Sequence, residues 1–88
     1  MTISEIKALA KETFGGRKQS VIQCEGFKIS IVGGDNLYGD FENTFEIAII
    51  DQFGNFVTKQ YVDGLNDDVI GYYSVKKTEE LVNRLLKP

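Results

Sequence analysis

Twice in the middle of this chain apolar and polar residues alternate one for one, while both ends carry apolar residues at three- and four-residue spacing. Phe27, Ile29 and Ile31 alternate with Lys28 and Ser30; Phe45, Ile47 and Ile49 alternate with Thr44, Glu46 and Ala48. Period two makes half-buried strands and the longer period makes amphipathic helices. A chain that switches from one period to the other and back needs a sheet covered by helices. Length narrows the choice further, because 88 residues leave room for one domain. Residues 1–88 therefore read as a single small α+β domain, with an antiparallel sheet of four to five strands and N- and C-terminal helices packed on one face.

The first helix is predicted over residues 3–14. Thr2 and Glu5 fit a capping box, Ile3, Ile6, Leu9, Ala10 and Phe14 form one stripe, and Gly15-Gly16 supplies a left-handed stop. Ser20 to Cys24 and Phe27 to Ile31 then make a hairpin about Glu25-Gly26. A long loop follows from Gly33-Gly34-Asp35-Asn36 to about Asn43. The second hairpin has Thr44 to Ile49 as one arm, Asp51 to Asn55 as its turn, and Phe56 to Val62 as the returning strand. Val69 to Val75 is a plausible fifth strand, interrupted by Gly71. Thr78 caps the closing helix, with Glu79 and Glu80 in its first turn, Lys87 in its last and Pro88 ending the chain. Connections this short force antiparallel neighbours, since a parallel pair needs a crossover of about a dozen residues. The uncovered face should be wet, carrying Lys28, Ser30, Thr44 and Glu46 with Thr58 and Gln60 beside them.

Composition excludes several chemistries. There is no His, so the usual general base and the commonest metal ligand are missing, and one Cys allows no internal disulfide. Cys24 has no base to activate it and reads as a buried, inert thiol. No apolar run approaches the roughly 20 residues that cross a bilayer. A single thiol, and Met1 to Glu5 without an apolar stretch, point to the cytoplasm. The net charge of −3 is unevenly spread. Residues 1–32 balance at +2 and residues 69–88 at +2, whereas residues 33–68 set eight acids against Lys59 alone, a balance of −7.

Each constellation that could carry chemistry also has a plain structural use. Gly15-Gly16-Arg17-Lys18 has the wrong order for a phosphate cradle, because its glycines follow a helix instead of opening one. The 33–43 loop holds Asp35, Asp40 and Glu42, hard oxygen ligands, but their spacing is not that of a calcium loop. Tyr38 and Phe41 in that loop either fold back on the core edge or stand out as anchors for a partner. Asp67-Asp68 is a polar turn. Of Tyr72 and Tyr73, one ring must face outward. A sequence pI near 4.8 argues against direct binding of nucleic acid.

These observations predict a non-enzymatic binding or regulatory protein that acts by protein–protein contact, with neither cofactor nor metal. The partner-binding residues are Asp35, Tyr38, Asp40, Phe41, Glu42, Glu46, Asp63, Asp67 and Asp68, which would draw a basic, nucleic-acid-binding partner if they share one side of the domain. The layout of helix, antiparallel strands, closing helix and acidic surface resembles that of small proteins encoded by phages and prophages, some of which inhibit host enzymes or CRISPR nucleases. That resemblance covers the layout alone and implies an inhibitor without assigning any residue a role. The second reading is a homo-oligomer, a homodimer or assembly component, joined through the thinly protected edge strand Val57 to Tyr61.

Overall fold

The computed structural model describes residues 1–13, 15–35 and 37–87. Phe14, Asn36 and Pro88, which the sequence reading placed in the first helix, the long loop and the chain's end, lie outside the described residues.

The predicted capping box is present: Thr2 accepts from the Glu5 amide and the Glu5 carboxylate accepts from that of Thr2. The helix it starts, α1, spans only Ile3–Ala8. Leu9 closes it, its N–H donating back to the Ile6 carbonyl at 3.2 Å. The expected helix over 3–14 is thus too long. Leu9 is an exposed member of the stripe, so continuing the helix would gain little burial. The chain instead turns into a short strand, β1 (Lys11–Thr13), which pairs antiparallel with the first residues of β2 (Arg17–Gln23). Gly15 and Gly16, both at φ +78°, shape the connection between these strands and do not stop a helix.

The hairpin of β2 with β3 (Phe27–Gly34) is as predicted and longer, with Ile22 opposite Ile29 and Ser20 opposite Ile31. Gly33 and Gly34 remain in the strand. Gly33 is needed for a close approach: a Cβ there would sit 2.5 Å from the Phe41 amide nitrogen, where the following loop folds back. β4 (Thr44–Asp51) pairs with β3, setting Ile47 opposite Ile31 and Ile49 opposite Ile29.

Beyond the turn the chain leaves the course its residues predict. Phe56 makes one isolated bridge to Ile50, and Thr58–Tyr61 is a helical turn, α2, in place of the expected strand over 56–62. The edge is taken by β5 (Ile70–Ser74), which pairs with the first half of β4 and gives a five-stranded antiparallel sheet in sequence order. Ser74 caps α3 (Val75–Leu86) by accepting from the Lys77 amide at 3.2 Å. Thr78, predicted as that cap, is buried within the helix; its first turn holds no acid, and Lys87 stands at its C-terminal cap.

Ile6 from α1 and Leu81 and Val82 from α3 join Ile22, Ile29, Ile31, Phe45, Ile47 and Ile70 of the sheet in one core. The two helices therefore share a face, as predicted. Polar ties fix them: Ser20 Oγ donates to the Ile6 carbonyl at 2.6 Å, and the Ile3 amide donates to Glu79 Oε2 at 2.6 Å. The other face departs from the wet surface expected. Ser30 is buried there, Gln19 Nε2 donates to its Oγ at 2.9 Å, and Ala48 is buried beside it. Thr58 is not on that face as a solvated residue but is fully buried.

Candidate functional site

The β3–β4 connection is built by one carboxylate. Asp40 Oδ1 accepts from the amides of Glu42, Asn43 and Thr44 at 2.8, 2.8 and 3.0 Å, and from Thr44 Oγ1 at 3.3 Å. Those donors hold the Asp40 carboxyl well below its ordinary value, at about 2. The same turn puts Phe41 at φ +60° and buries its ring edge-on to Phe45, centroids 5.4 Å apart. Phe41 therefore belongs to the core, and of the two aromatics in the loop only Tyr38 stands out.

Tyr38 meets Tyr72 from β5, with ring centroids 5.8 Å apart and the two side chains 60% and 68% exposed. Tyr72 has φ +54°, a conformation costly for a bulky residue. Its amide donates to the Tyr38 carbonyl at 2.6 Å, which holds the backbone there. Gly71 permits the approach, since a Cβ at that position would lie 2.9 Å from Tyr38 Cβ. A strained backbone of this kind persists where the surrounding structure over-determines it. Tyr72 also borders a cleft of about 360 Å³, lined by Asp35, Leu37, Asp40 and Thr44 among others. Two acidic residues and a tyrosine thus border one small space.

The nine residues singled out from the sequence do not gather into a single patch. Asp35 and Asp40 line the cleft with Tyr72, and Tyr38 stands against Tyr72. Glu42 turns to α1, where Lys7 Nζ lies 3.8 Å from its carboxylate and donates to its carbonyl at 3.2 Å. Glu46 stands on the open sheet face; burial pushes its carboxyl up and the Arg17 charge opposes that. Asp63, Asp67 and Asp68 lie between α2 and β5. Asp67 Oδ1 accepts from the Asp68 amide, and the Asp68 carbonyl accepts from Thr58 Oγ1, whose oxygen also takes the Ile49 amide. Thr44 and Ile49 are five residues apart on β4, so roughly 17 Å of strand separates that turn from the cleft. Asp51 is farther still and serves its own turn, accepting from Phe53 and Asn55 at 2.9 Å each, which lowers its pKa.

Lys7, Lys11 and Lys18 line a second cleft of about 250 Å³, but Glu12 and Glu42 share its wall and leave its charge mixed. Among the described residues no group of three or more His, Cys, Asp or Glu is placed to hold a metal ion, and no helix is long and apolar enough to cross a membrane. Cys24 is partly buried, which raises its thiol pKa. Tyr72 is the cleft residue whose partner the sequence did not reveal, because the bulge that turns it toward Tyr38 is a matter of register between β4 and β5. No family model, no curated protein and no solved structure matches the chain.

Proposed function

We propose that this chain is a small acidic binding protein, without enzymatic activity, that acts by protein–protein contact on a basic partner. The observation that carries the reading is the cleft at the β3–β4 end, where Asp35 and Asp40 lie beside the exposed Tyr38–Tyr72 pair. Such a space suits an arginine or lysine side chain, taken by carboxylates at its charge and by aromatic faces along its stem or guanidinium. Asp40 supports binding over catalysis: held at about 2, it stays ionised and is a poor proton acceptor at neutral pH. Nucleic-acid-binding proteins present Arg and Lys side chains of this kind. One engaged by the cleft is no longer free for phosphate, so binding would act as inhibition.

Titration with a hexa-arginine peptide, followed by amide shifts, tests this. Asp40 is unsuitable for substitution because its carboxylate builds the loop, so Asp35→Asn and Tyr72→Gly are the variants of choice. Glycine accepts φ +54° without strain, so Tyr72→Gly removes the ring while keeping the backbone. Each variant should bind the peptide about five- to tenfold more weakly at an unreduced melting temperature. Affinity equal to wild type in both would remove the cleft from any recognition of basic groups.

A further inference from the structure

The sheet face that α1 and α3 leave open is more apolar than the alternation in the sequence suggests. Val21 and Phe56 are 41% and 55% exposed on it, and a groove of about 260 Å³ runs past Val32, Ala48, Ile50, Phe56 and Val69. We infer that a second copy of this chain packs on this face, sheet against sheet, about a two-fold axis that runs across the strands at the level of Ser30 and Ala48.

The register supplies the argument. Ser30 and Ala48 are opposite each other, both small, at the centre of the face. Two residues one way along the strands lies the Lys28–Ile50 pair, and two residues the other way the Val32–Glu46 pair. Lys28 and Glu46 therefore sit at equal distances from the centre in opposite directions. An axis across the strands reverses their direction and brings Lys28 of each copy to the level of Glu46 of the other. An axis along the strands would set Lys28 near Lys28 and Glu46 near Glu46, which like charges oppose. The same reversal carries the Phe56 ring of one copy toward the groove beside Ala48 and Val69 of the other. Burial has already raised the Glu46 carboxyl, with Arg17 the cation that opposes the rise, so a second cation there would be well placed. The only acid among these strand positions, Glu46, stands beside cations of its own copy, with Arg17 and Lys28 on the same face and Lys11 at its β1 edge, so the pairing of Lys28 with Glu46 of the other copy is the contact that sets the orientation. The flat footprint of four strands is roughly 400 Å² per copy. That is below the roughly 800 Å² per partner of a stable complex, so the dimer forms in the micromolar range or weaker.

Sedimentation velocity from about 1 µM to about 1 mM tests the inference independently of the cleft. Wild type should pass from monomer to dimer within that range. Lys28→Glu and Glu46→Lys should each weaken association about fivefold or more, and the combined Lys28→Glu/Glu46→Lys variant should return it to within about twofold of wild type. Circular dichroism checks that each variant folds. Amide shifts of the wild type on dilution provide a second readout that needs no variant: Val21, Ser30 and Ala48 should move while Glu5 and Glu80 stay. A monomer at every concentration, a charge swap that restores nothing, or dilution shifts mapping elsewhere would overturn the inference.

Discussion

Asp40 shows how a residue that looks like a surface acid in the sequence becomes part of the framework once its neighbours are known. Its carboxylate satisfies three amides that the loop would otherwise leave to water. A carboxyl at about 2 in the fold and near 3.8 in the unfolded chain adds stability above pH 3.8, and that contribution is lost as the pH falls through about 2. Asp40→Ala should therefore melt at a lower temperature than wild type at neutral pH, and the gap should narrow between pH 4 and pH 2; thermal melts across that range measure it. Two threonines make the opposite case for polarity. Thr58 Oγ1 donates to the Asp68 carbonyl at 2.5 Å and accepts from the Ile49 amide at 2.9 Å, fully buried. Thr78 Oγ1, equally buried, finds no partner among the described residues. The same isosteric change should act with opposite signs: Thr58→Val strands the buried Ile49 amide and a half-buried carbonyl and costs about 1–3 kcal/mol, whereas Thr78→Val relieves one group and adds about 1 kcal/mol. Chemical denaturation of the two variants decides it, and equal effects would contradict the hydrogen bonding described.

Elements whose period was unambiguous were legible from the residues alone. The strands around Phe27–Ile31 and Phe45–Ile49 stand where the spacing puts them, and the closing helix has Leu81 and Val82 inward as expected, although it starts a turn earlier, at Val75. The failures share a cause: local preference was overruled by a partner elsewhere in the chain. Val57, Thr58, Tyr61 and Val62 are strand formers, yet the Thr58 hydroxyl takes the Ile49 amide and the chain leaves β4 after one bridge. The vacated edge goes to β5. Ile3, Ile6, Leu9 and Ala10 are helix-spaced, yet the helix ends at Leu9 and Lys11–Thr13 finds Arg17–Gln19 across the glycine pair. The Glu12–Lys18 pairing in that hairpin was the available signal, an acid and a base at matching distances from Gly15-Gly16. The candidate site was half legible. Asp35, Tyr38 and Asp40 were visible as a polar loop with an unexpected aromatic, whereas Tyr72 joins them only through the shift of register between Phe45 and Ile47. The edge strand that suggested self-association does not exist, and the case for a second copy now rests on the open face.

Over the whole molecule the acidic middle segment divides into separate uses. Asp40 and Asp51 close turns at opposite ends of β4, Glu42 meets Lys7, and Glu46 stands on the open face. Asp63, Asp67 and Asp68 stay apart in the turn between α2 and β5, while Asp35 lies with Asp40 and Tyr72 at the cleft. The cleft and the open face therefore offer contacts of different physics. Peptide capture at the cleft depends on exposed charges, which salt screens once their separation exceeds a Debye length of about 10 Å at 0.1 M and about 3 Å at 1 M. Self-association over Val21, Val32, Ile50 and Phe56 depends chiefly on apolar area, which salt does not weaken, with two Lys28–Glu46 pairs held partly out of water. Raising NaCl from about 50 mM to about 500 mM should lower hexa-arginine affinity about tenfold while changing the dimerisation constant less than about threefold. Peptide titration and sedimentation at the two salt concentrations give both numbers on one preparation. If the two constants fell together, a single charged surface would have to serve both contacts, and the division of this small domain into a polar end and an apolar face would be wrong.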